Sequence, residues 1–351
     1  MVITMEKIAL FIAGDERIYF PALVTILSVK KHNPGKFDYF LCFDEQKLTH
    51  SMSEELKGNE IHFIDNKTFQ EYEIEQTFRS MSEGRWPVEI FYNYVLPIYL
   101  EKLGYKYSIK ADYDLLCIGE YDLESIMPID KTIGGLTTKV NLFNEGVTQK
   151  TFDTLKSEGK LSSNWTDYMN VGFITFNNKN FTKNKCFEYF VDIYKYLAQT
   201  NPEAKLLEQI AFSILLQKLK DQYINFSDAY NHRVLWTRAT DQNLNFDTKN
   251  IHYITQFKPW KPFELDKLKW FLYRNLGSLF AYRNLWLEFA ETIPSFEQFC
   301  TERRLNEHQL AALQMFIVRN YNDRINKLEQ EIKDEKKKYS ELKTAIESLP
   351  I

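Results

Sequence analysis

Short apolar runs alternate with helical patterns along the first part of the chain. The segments 7–13, 37–43 and 60–64 are largely apolar and have the length of β-strands. Between the first two, apolar residues recur at helical spacing after Pro21, which predicts a helix over 21–32. Runs that are apolar on both faces are typical of strands covered on both sides, as in parallel sheets. The alternation of strand and helix therefore predicts an α/β fold.

The same alternation continues through the middle of the chain. A helical pattern covers 86–103, and Pro97 inside it predicts a kink or a break. The weak pattern over 140–164 predicts an irregular or partly helical insertion, a candidate flap over a substrate. The further predictions are strands over 168–176 and 251–254 and helices over 178–197 and 203–219.

The segment 107–117 is predicted to contain a β-strand that ends in two carboxylates, Asp112 and Asp114. Side chains alternate between the faces of a strand, so Asp112 and Asp114 point to the same side. Two carboxylates on one side of a strand end can hold a divalent cation, which can also bridge phosphate oxygens. Because Asp-x-Asp triplets also occur by chance, the alternative interpretation is a polar loop after a strand.

Composition limits the class of protein. The chain has 351 residues, of which 44% are hydrophobic, enough for one large domain and an appendage. A net charge of -4 does not indicate a nucleic-acid partner. The N-terminus is typical of a strand rather than a signal peptide, and no apolar run is long enough to span a membrane. Four widely spaced cysteines predict reduced, mostly buried thiols and a cytoplasmic protein.

Several short motifs follow one another in a fixed order. They are an Ala-Gly-Asp turn at 13–15, a Leu-Pro-x-x-Leu helix at 96–100, Asp-Tyr-Asp at 112–114, Asn-Val-Gly at 170–172, Glu-Gln at 208–209, and His252 followed by Lys-Pro-Trp at 258–260. In this order the chain resembles the family-8 glycosyltransferases, retaining enzymes on the GT-A fold that use nucleotide sugars. These include bacterial lipooligosaccharide galactosyl- and glucosyltransferases and glycogenin-like enzymes. The resemblance covers about residues 7–262.

The resemblance implies a metal-bound nucleotide sugar. Asp112 and Asp114 would bind Mn²⁺, or Mg²⁺, together with the diphosphate of a UDP-sugar, and His252 would complete the metal site. Lys258 would hold the diphosphate and stabilise it as it leaves. Mixed imidazole and carboxylate ligation suits Mn²⁺.

The remaining motifs would bind the rest of the donor. Ala13 and Asp15 would contact the uracil and the ribose, although Asp15 also fits the simpler role of a turn-capping residue. The sugar would be held by Asn170 and Gly172 in its pocket and by Glu208 and Gln209 at the reacting carbon.

Four positions depart from the family pattern. The family usually has Asp where Glu208 stands and a second Asp where Ile210 stands. It often has Gly at Thr255 and Arg at Asn93, and Arg85 is a candidate replacement for that cation. These departures concern the identity of the donor sugar more than nucleotide or metal binding.

The chain is predicted to divide into three parts. Residues 1–262 form the GT-A domain, a Rossmann-like mixed sheet flanked by helices. Residues 263–315 form a basic, aromatic helical segment that either packs on the sheet or lies on an anionic membrane surface. Residues 316–351 carry a heptad repeat that predicts a coiled-coil helix and a homo-oligomer. The predicted location is the cytoplasm, with peripheral contact to the inner membrane face as an extension.

The sequence thus predicts a metal-dependent retaining glycosyltransferase. It would transfer a hexose, galactose or glucose, from a UDP-sugar to a glycan acceptor. The alternative is a non-catalytic protein that binds nucleotide sugars and is oligomerised by its coiled coil. A third class, a metal-dependent nucleotidyltransferase, also uses aspartate pairs at sheet ends, but the pair His252 and Lys258 argues against it.

Overall fold

The computed structural model describes residues 7–78, 87–201, 204, 206–234, 247–254, 258–261, 276–303, 322 and 324–343. Within these ranges the chain forms a mixed α/β structure with two sheets. The strands are β1 (Ile8–Ala13), β2 (Phe37–Phe43), β3 (Ile61–Asp65), β4 (Tyr107–Ala111), β5 (Leu115–Cys117), β6 (Ile133–Asn141), β7 (Trp165–Asn177), β8 (Tyr223–Asn225), β9 (His232–Arg233) and β10 (Asn250–His252).

The larger sheet has seven strands in the order β3-β2-β1-β4-β7-β6-β8. The strands β3, β2, β1 and β4 are mutually parallel, whereas β7 runs antiparallel to both of its neighbours. Because the carboxyl ends of parallel strands meet at one edge, the polar residues after β1 and β4 lie at the same edge of the sheet. The smaller sheet, β5-β10-β9, lies where β4 leaves the larger one.

Helices cover both faces of the larger sheet. They are α1 (Tyr19–His32), α2 (His50–Gly58), α3 (Ile74–Phe78), α4 (Tyr92–Lys102), α5 (Leu123–Ile126), α6 (Gln149–Ser157), α7 (Asn178–Lys183), α8 (Cys186–Thr200), α9 (Leu207–Leu219), α10 (Leu276–Ala290) and α11 (Phe296–Arg303). Residues 324–343 are also helical.

Strand β1 separates two hydrophobic clusters. Ile8, Leu10 and Ile12 face the cluster that contains α1, and Ala9 and Phe11 face the cluster that contains α4, α8 and α9. All of these side chains are buried, which explains why the strand is apolar on both faces. All four cysteines are buried and free, as the sequence predicts.

Three predicted elements differ from the structure. The segment 107–117 contains a second strand after the predicted one, because the chain turns at 112–114 and β5 joins the smaller sheet. The predicted helix 178–197 is divided between α7 and α8, where Lys185 adopts a left-handed backbone with φ 51°. Helix α4 continues through Pro97, so the helix does not break there, and the proline removes one hydrogen bond without ending it. The alternative prediction of a kink stays a prediction.

The insertion 140–164 is partly helical, as predicted, and it contains α6. Phe152 and Leu155 of α6 are buried in the cluster that also contains α8 and α9. This part of the insertion is therefore part of the hydrophobic core, whereas its predicted function as a flap stays a prediction.

The described portion of the aromatic segment packs against the domain. Trp260 is buried, and its ring centroid lies 5.0 Å from that of Trp286 on α10. Trp286 in turn packs edge-on against Phe20 of α1. Residues 262–275, on which the membrane-surface interpretation rests, lie outside the described residues. No helix within the described ranges has both the length and the apolar character needed to cross a bilayer.

Candidate active site

The two aspartates lie at the junction of the two sheets. The backbone N–H of Asp112 donates to the carbonyl of Gly172 at 2.8 Å, which ties the end of β4 to β7. The carbonyl of Asp114 accepts from the N–H of Tyr253 at 2.9 Å, which ties the same turn to the residue after β10. Both carboxylates are thus held by backbone contacts to elements that are distant in sequence.

The structure brings Asp112, Asp114 and His252 together. One potential ligand atom from each of the three lies within 4.8 Å of the other two. The His252 Nε2 atom is 3.2 Å from Oδ1 of Asp114 and 3.6 Å from Oδ2 of Asp112. Two carboxylates and an imidazole at this separation can hold one divalent cation, with sites left for substrate oxygens.

The buried carboxylate of Asp114 fits such a cation. Its Oδ1 atom is shielded from solvent and accepts no hydrogen bond within the described part of the chain. Burial raises the pKa of Asp114, but the ammonium of Lys258 outweighs this and holds the pKa well below its usual range. A buried, ionised oxygen without a hydrogen bond is costly unless a cation faces it.

The orientation of His252 is fixed by two neighbours. Its Nδ1 atom lies 2.7 Å from Oδ1 of Asn231, so Nε2 is the nitrogen that faces the aspartates. The imidazole lies directly over Gly172, where an added Cβ would be 2.1 Å from Cε1 of His252. Gly172 therefore leaves the space that the imidazole occupies, a role that differs from its predicted place in the sugar pocket.

Asn231 is a site residue that the sequence analysis missed. It is fully buried, and its Nδ2 donates to Oδ1 of Asn170 at 2.8 Å while its Oδ1 contacts His252. A lone asparagine after Tyr230 gives no pattern that would single it out. Asn231 comes into contact with His252 only through the pairing of β9 with β10, which the sequence does not show.

We expect Asn231→Leu to weaken Mn²⁺ binding by about 10- to 100-fold, since residues that orient metal-binding imidazoles typically contribute this much. Titration of the protein with Mn²⁺, followed by electron paramagnetic resonance of the free ion, measures the affinity. Asn225→Leu is the control, because the Asn225 side chain instead bonds the N–H of Thr137. Equal Mn²⁺ affinities for the two variants would contradict the orienting role.

Lys258 lies beside the aspartates. Its Nζ atom forms an ion pair with Oδ2 of Asp114 and donates to the carbonyl of Tyr253 at 2.6 Å. The ammonium also lies 5.8 Å from the ring centroid of Tyr113. The structure thus places a cation at the edge of the three-residue cluster, where the resemblance expects the diphosphate.

Lys110 is a second residue that the sequence analysis missed. It is buried on β4, and its Nζ contacts Oδ1 of Asp112 and the carbonyl of Val171. The contact leaves Oδ2 of Asp112 as the oxygen that faces His252. The sequence does contain a signal for Lys110. A residue two positions before Asp112 on a strand points to the same side as Asp112.

Glu208 and Gln209 lie in the first turn of helix α9. The hydroxyl of Tyr94 donates to Glu208, and burial raises the pKa of the Glu208 carboxyl, an effect that Lys110 opposes. Gln209 Oε1 lies 3.5 Å from Nδ2 of Asn170. Helix α9 therefore brings Gln209 to Asn170, which contacts Asn231 beside the metal cluster. The roles of Glu208 and Gln209 at the reacting carbon stay predictions.

Ala13 and Asp15 lie at the end of β1. The N–H of Ala13 donates to Oδ1 of Asn93, and Nδ2 of Asn93 donates to the carbonyl of Ala13, both at 3.1 Å. Asp15 caps a 3-10 turn by accepting from the N–H of Arg17 at 2.9 Å, and it also pairs with the Arg17 guanidinium. Asp15 thus has the capping role, and its contact with a ribose stays a prediction.

Comparisons with known proteins identify the class. The family model described as glycosyl transferase family 8 matches residues 9–263. The fold is similar to that of GlyE from Streptococcus pneumoniae TIGR4, with 19% identity, a TM-score of 0.52, and coverage of 85% of this chain and 63% of GlyE. It is also similar to an active-site mutant of LgtC, with 15% identity, a TM-score of 0.54, and coverage of 82% and 96%.

A third similar structure is the bifunctional glycosyltransferase WbbM, with 13% identity and a TM-score of 0.54. This chain spans 52% of WbbM and 63% of GlyE, so both are longer proteins. No curated protein sequence matches significantly. The chain belongs to glycosyl transferase family 8, and it has the mixed-sheet GT-A fold of these structures.

Proposed function

We propose that the protein is a metal-dependent retaining glycosyltransferase that moves galactose or glucose from a UDP-sugar to a glycan acceptor. The observation that supports this most is the cluster of Asp112, Asp114 and His252, with an Asp114 oxygen that lacks a hydrogen bond, in a chain of this family. Mn²⁺, or Mg²⁺ in its place, would be held by these three residues. The cation would stabilise the negative charge that builds on the diphosphate as the sugar bond breaks.

Lys258 would assist the departure of UDP. Its ammonium lies at the edge of the metal cluster, where it can hold a diphosphate oxygen. A fixed cation is worth more to the developing charge of the transition state than to the ground state, because the site has lower polarity than water. Lys258 would therefore raise the rate of the chemical step and also bind the donor.

Glu208 and Gln209 would face the reacting carbon. Retention of configuration needs either a nucleophile below the sugar ring or attack from the face that UDP leaves. Glu208 suits the first route as the nucleophile and the second as a carboxylate that stabilises an oxocarbenium ion. Its contact with Tyr94 fixes the carboxylate in either case. The 3.5 Å approach of Gln209 Oε1 to Asn170 Nδ2 supports the proposed place of Gln209 at the sugar pocket.

The nucleotide would bind at the carboxyl end of β1. Ala13 and Asp15 are adjacent to this edge, and Asn170 and Gly172 lie across it on β7. Binding at the carboxyl ends of parallel strands is the general rule for open α/β sheets. The uracil and ribose contacts of Ala13 and Asp15, and the sugar contacts of Asn170 and Gly172, are part of the proposal.

The test is turnover of a panel of UDP- and GDP-sugars, with Mn²⁺, with EDTA, and with EDTA followed by excess Mn²⁺. We expect hydrolysis or transfer from UDP-galactose or UDP-glucose that EDTA abolishes and Mn²⁺ restores, and an inactive Asp112→Asn variant. Activity that is indifferent to EDTA and to Asp112→Asn would remove the metal from the proposal. UDP binding without turnover of any donor would favour the non-catalytic alternative.

The helix 324–343 supports the proposed homo-oligomer. Its apolar heptad residues are half or more exposed, as expected for a surface that a second helix covers. They are Ile325 (51%), Leu328 (50%), Ile332 (53%), Tyr339 (71%) and Leu342 (62%). A coiled coil of two or more copies, a cytoplasmic location and contact with the inner membrane face stay predictions, as do the boundaries 262/263 and 315/316.

A further inference from the structure

The helix 324–343 carries an apolar face that no described part of the chain covers. Every side chain in this helix is exposed to solvent. Its apolar residues recur at the a and d positions of a heptad, the spacing of a coiled coil. The a positions are Ile325, Ile332 and Tyr339, and the d positions are Leu328, Glu335 and Leu342. These positions form the apolar face, and a face of this kind is typical of a helix that packs against another helix.

The other side of the helix needs no partner. Nε2 of Gln330 donates to Oδ1 of Asp334 at 3.0 Å, and Nζ of Lys337 lies 3.9 Å from Oε1 of Glu341. Such pairs of neighbouring turns lie on one side of a helix and remain in contact with water. The apolar face is therefore the part of the helix that gains from association.

The residue types on the apolar face favour two parallel helices. Ile325 and Ile332 occupy a positions, and Leu328 and Leu342 occupy d positions. A β-branched residue at a with leucine at d favours two strands in parallel coiled coils, whereas isoleucine at both positions shifts the preference to trimers or tetramers. The apolar face therefore fits one second copy of the same helix better than a larger bundle.

The charges beside the apolar face match between two parallel copies. In a parallel pair, a g residue faces the e residue of the next heptad on the other chain. Arg324 at g would face Glu329 at e, and Glu331 at g would face Lys336 at e. Both contacts join opposite charges. Ion pairs at these positions set the orientation of coiled-coil partners.

An antiparallel pair would lose these contacts. In the antiparallel register that covers the whole helix, Leu328 of one chain lies against Tyr339 of the other, and g residues face g residues. Arg324 would then face Lys338, and Glu331 would face Glu331 of the second chain. Both contacts bring like charges together, which weakens the association.

Lys343 favours the antiparallel arrangement instead. It would face Lys338 in a parallel pair and Glu329 in an antiparallel pair. Arg324 and Glu331, by contrast, meet opposite charges in the parallel pair and like charges in the antiparallel pair. Together with the residue types at a and d, the charges therefore favour the parallel arrangement.

Glu335 fixes the alignment of the two helices. It occupies a d position, and its carboxylate forms an ion pair of 2.8 Å with Lys338 of the same chain. In an aligned parallel pair the two Glu335 side chains are neighbours, and each can keep its own lysine. A shift by one heptad would place Glu335 against Leu328 or Leu342, where its charge would be shielded from water. A polar residue on the apolar face thus costs stability and specifies the register.

We propose that helix 324–343 forms a parallel, in-register, two-stranded coiled coil with a second copy of this chain. This inference rests on the homo-oligomer in the proposed function, and it specifies the number of chains and their orientation. Because the helices run in the same direction, the family-8 domains of both chains join the coiled coil at the same end. Sugar transfer is not needed for any of its tests, so a failure of the transferase activity leaves it unaffected.

Sedimentation equilibrium of the full chain over a range of concentrations tests the number of chains. We expect a dimer that dissociates on dilution, and a monomer for Ile332→Lys, which places a charge on the apolar face. Circular dichroism should show that this variant is folded. A trimer or tetramer would overturn this inference alone. A wild type that is monomeric at every concentration would overturn the homo-oligomer as well and leave the apolar face to another partner, such as an anionic membrane.

Disulfide cross-linking tests the orientation. In the parallel dimer the two Leu328 side chains are neighbours at a d position, so Leu328→Cys should form an intermolecular disulfide under mild oxidation. The native cysteines are buried, and the oxidised wild type serves as the control. In the antiparallel alternative, the disulfide should form instead when Leu328→Cys is mixed with Tyr339→Cys. Cross-linking of that mixture alone would overturn the parallel arrangement.

Charge reversal at position 324 gives opposite predictions for the two orientations. In a parallel dimer, Arg324→Glu would face Glu329 and should weaken the dimer by about tenfold. The second change Glu329→Lys should then restore the wild-type dissociation constant. In an antiparallel dimer, Arg324→Glu would face Lys338 and strengthen the association.

Lys333→Glu is the matched control, because Lys333 lies at a b position, away from the apolar face, and its reversal changes the net charge equally. We expect this variant to keep the wild-type dissociation constant. A tighter dimer for Arg324→Glu, or no rescue by the double variant, would overturn the inference.

Discussion

Asp114→Asn is expected to lower kcat/KM for the sugar nucleotide by at least about 100-fold. The change removes the buried charge that faces His252 and Lys258, and a neutral amide is a poor ligand for a hard divalent cation. The loss is expected in metal affinity as well as in rate. Initial rates over a series of Mn²⁺ concentrations measure both.

A second readout for Asp114→Asn does not depend on turnover. A ligand that binds only the folded state adds stability, about 2.7 kcal/mol at 100 times its dissociation constant. Mn²⁺ with UDP should therefore raise the free energy of unfolding of the wild type and leave that of the variant nearly unchanged. Asp122→Asn is the matched control, since Asp122 is exposed and caps no N–H. Wild-type stabilisation of Asp114→Asn by Mn²⁺ would argue against Asp114 as a ligand.

Gly172→Ala is expected to have the second-largest effect. The new methyl group would lie 2.1 Å from Cε1 and 2.7 Å from Nδ1 of His252, so either the imidazole or strand β7 must move. The imidazole is buried and held by Asn231, which leaves little room for adjustment. We expect a loss of about 1–3 kcal/mol in the free energy of unfolding. We also expect at least a tenfold loss in Mn²⁺ affinity.

Chemical denaturation measures the stability of Gly172→Ala, and Mn²⁺ titration of the folded variant measures the affinity. Gly58→Ala is the control, because no atom lies within 4 Å of an added Cβ at the end of α2. We expect Gly58→Ala to have the Mn²⁺ affinity of the wild type and to lose no stability. An unchanged Mn²⁺ affinity in Gly172→Ala would show that the position of the imidazole is not needed for metal binding.

The sequence pattern predicts β1 and β2 but does not predict β6, β8 and β9. Segment 37–43 was predicted with the bounds that β2 has, and the prediction for β1 was longer by one residue. Both strands are covered on both faces, so their apolar runs are unbroken. The separate strand β5 is not predictable, because residues 115–117 are apolar and continue the pattern of β4 past the two aspartates.

The candidate site was predictable only in part. The order of the motifs predicts Asp112, Asp114 and His252 as metal ligands, and the structure brings these three residues together. Asn231 is not predictable from the sequence, because its contact with His252 depends on the pairing of β9 with β10. No local sequence pattern indicates that pairing. Lys110 is predictable in principle, because the alternation of side chains along a strand puts it on the same face as Asp112, which it contacts.

Anomalous diffraction from crystals of the full chain, grown or soaked with Mn²⁺ and UDP, would locate the metal. We expect one strong Mn²⁺ peak within about 2.0–2.6 Å of carboxylate oxygens of Asp112 and Asp114 and of Nε2 of His252, with diphosphate oxygens as further ligands. A peak that excludes His252, or UDP bound with no metal between the two aspartates and the diphosphate, would show that these three residues do not form the metal site.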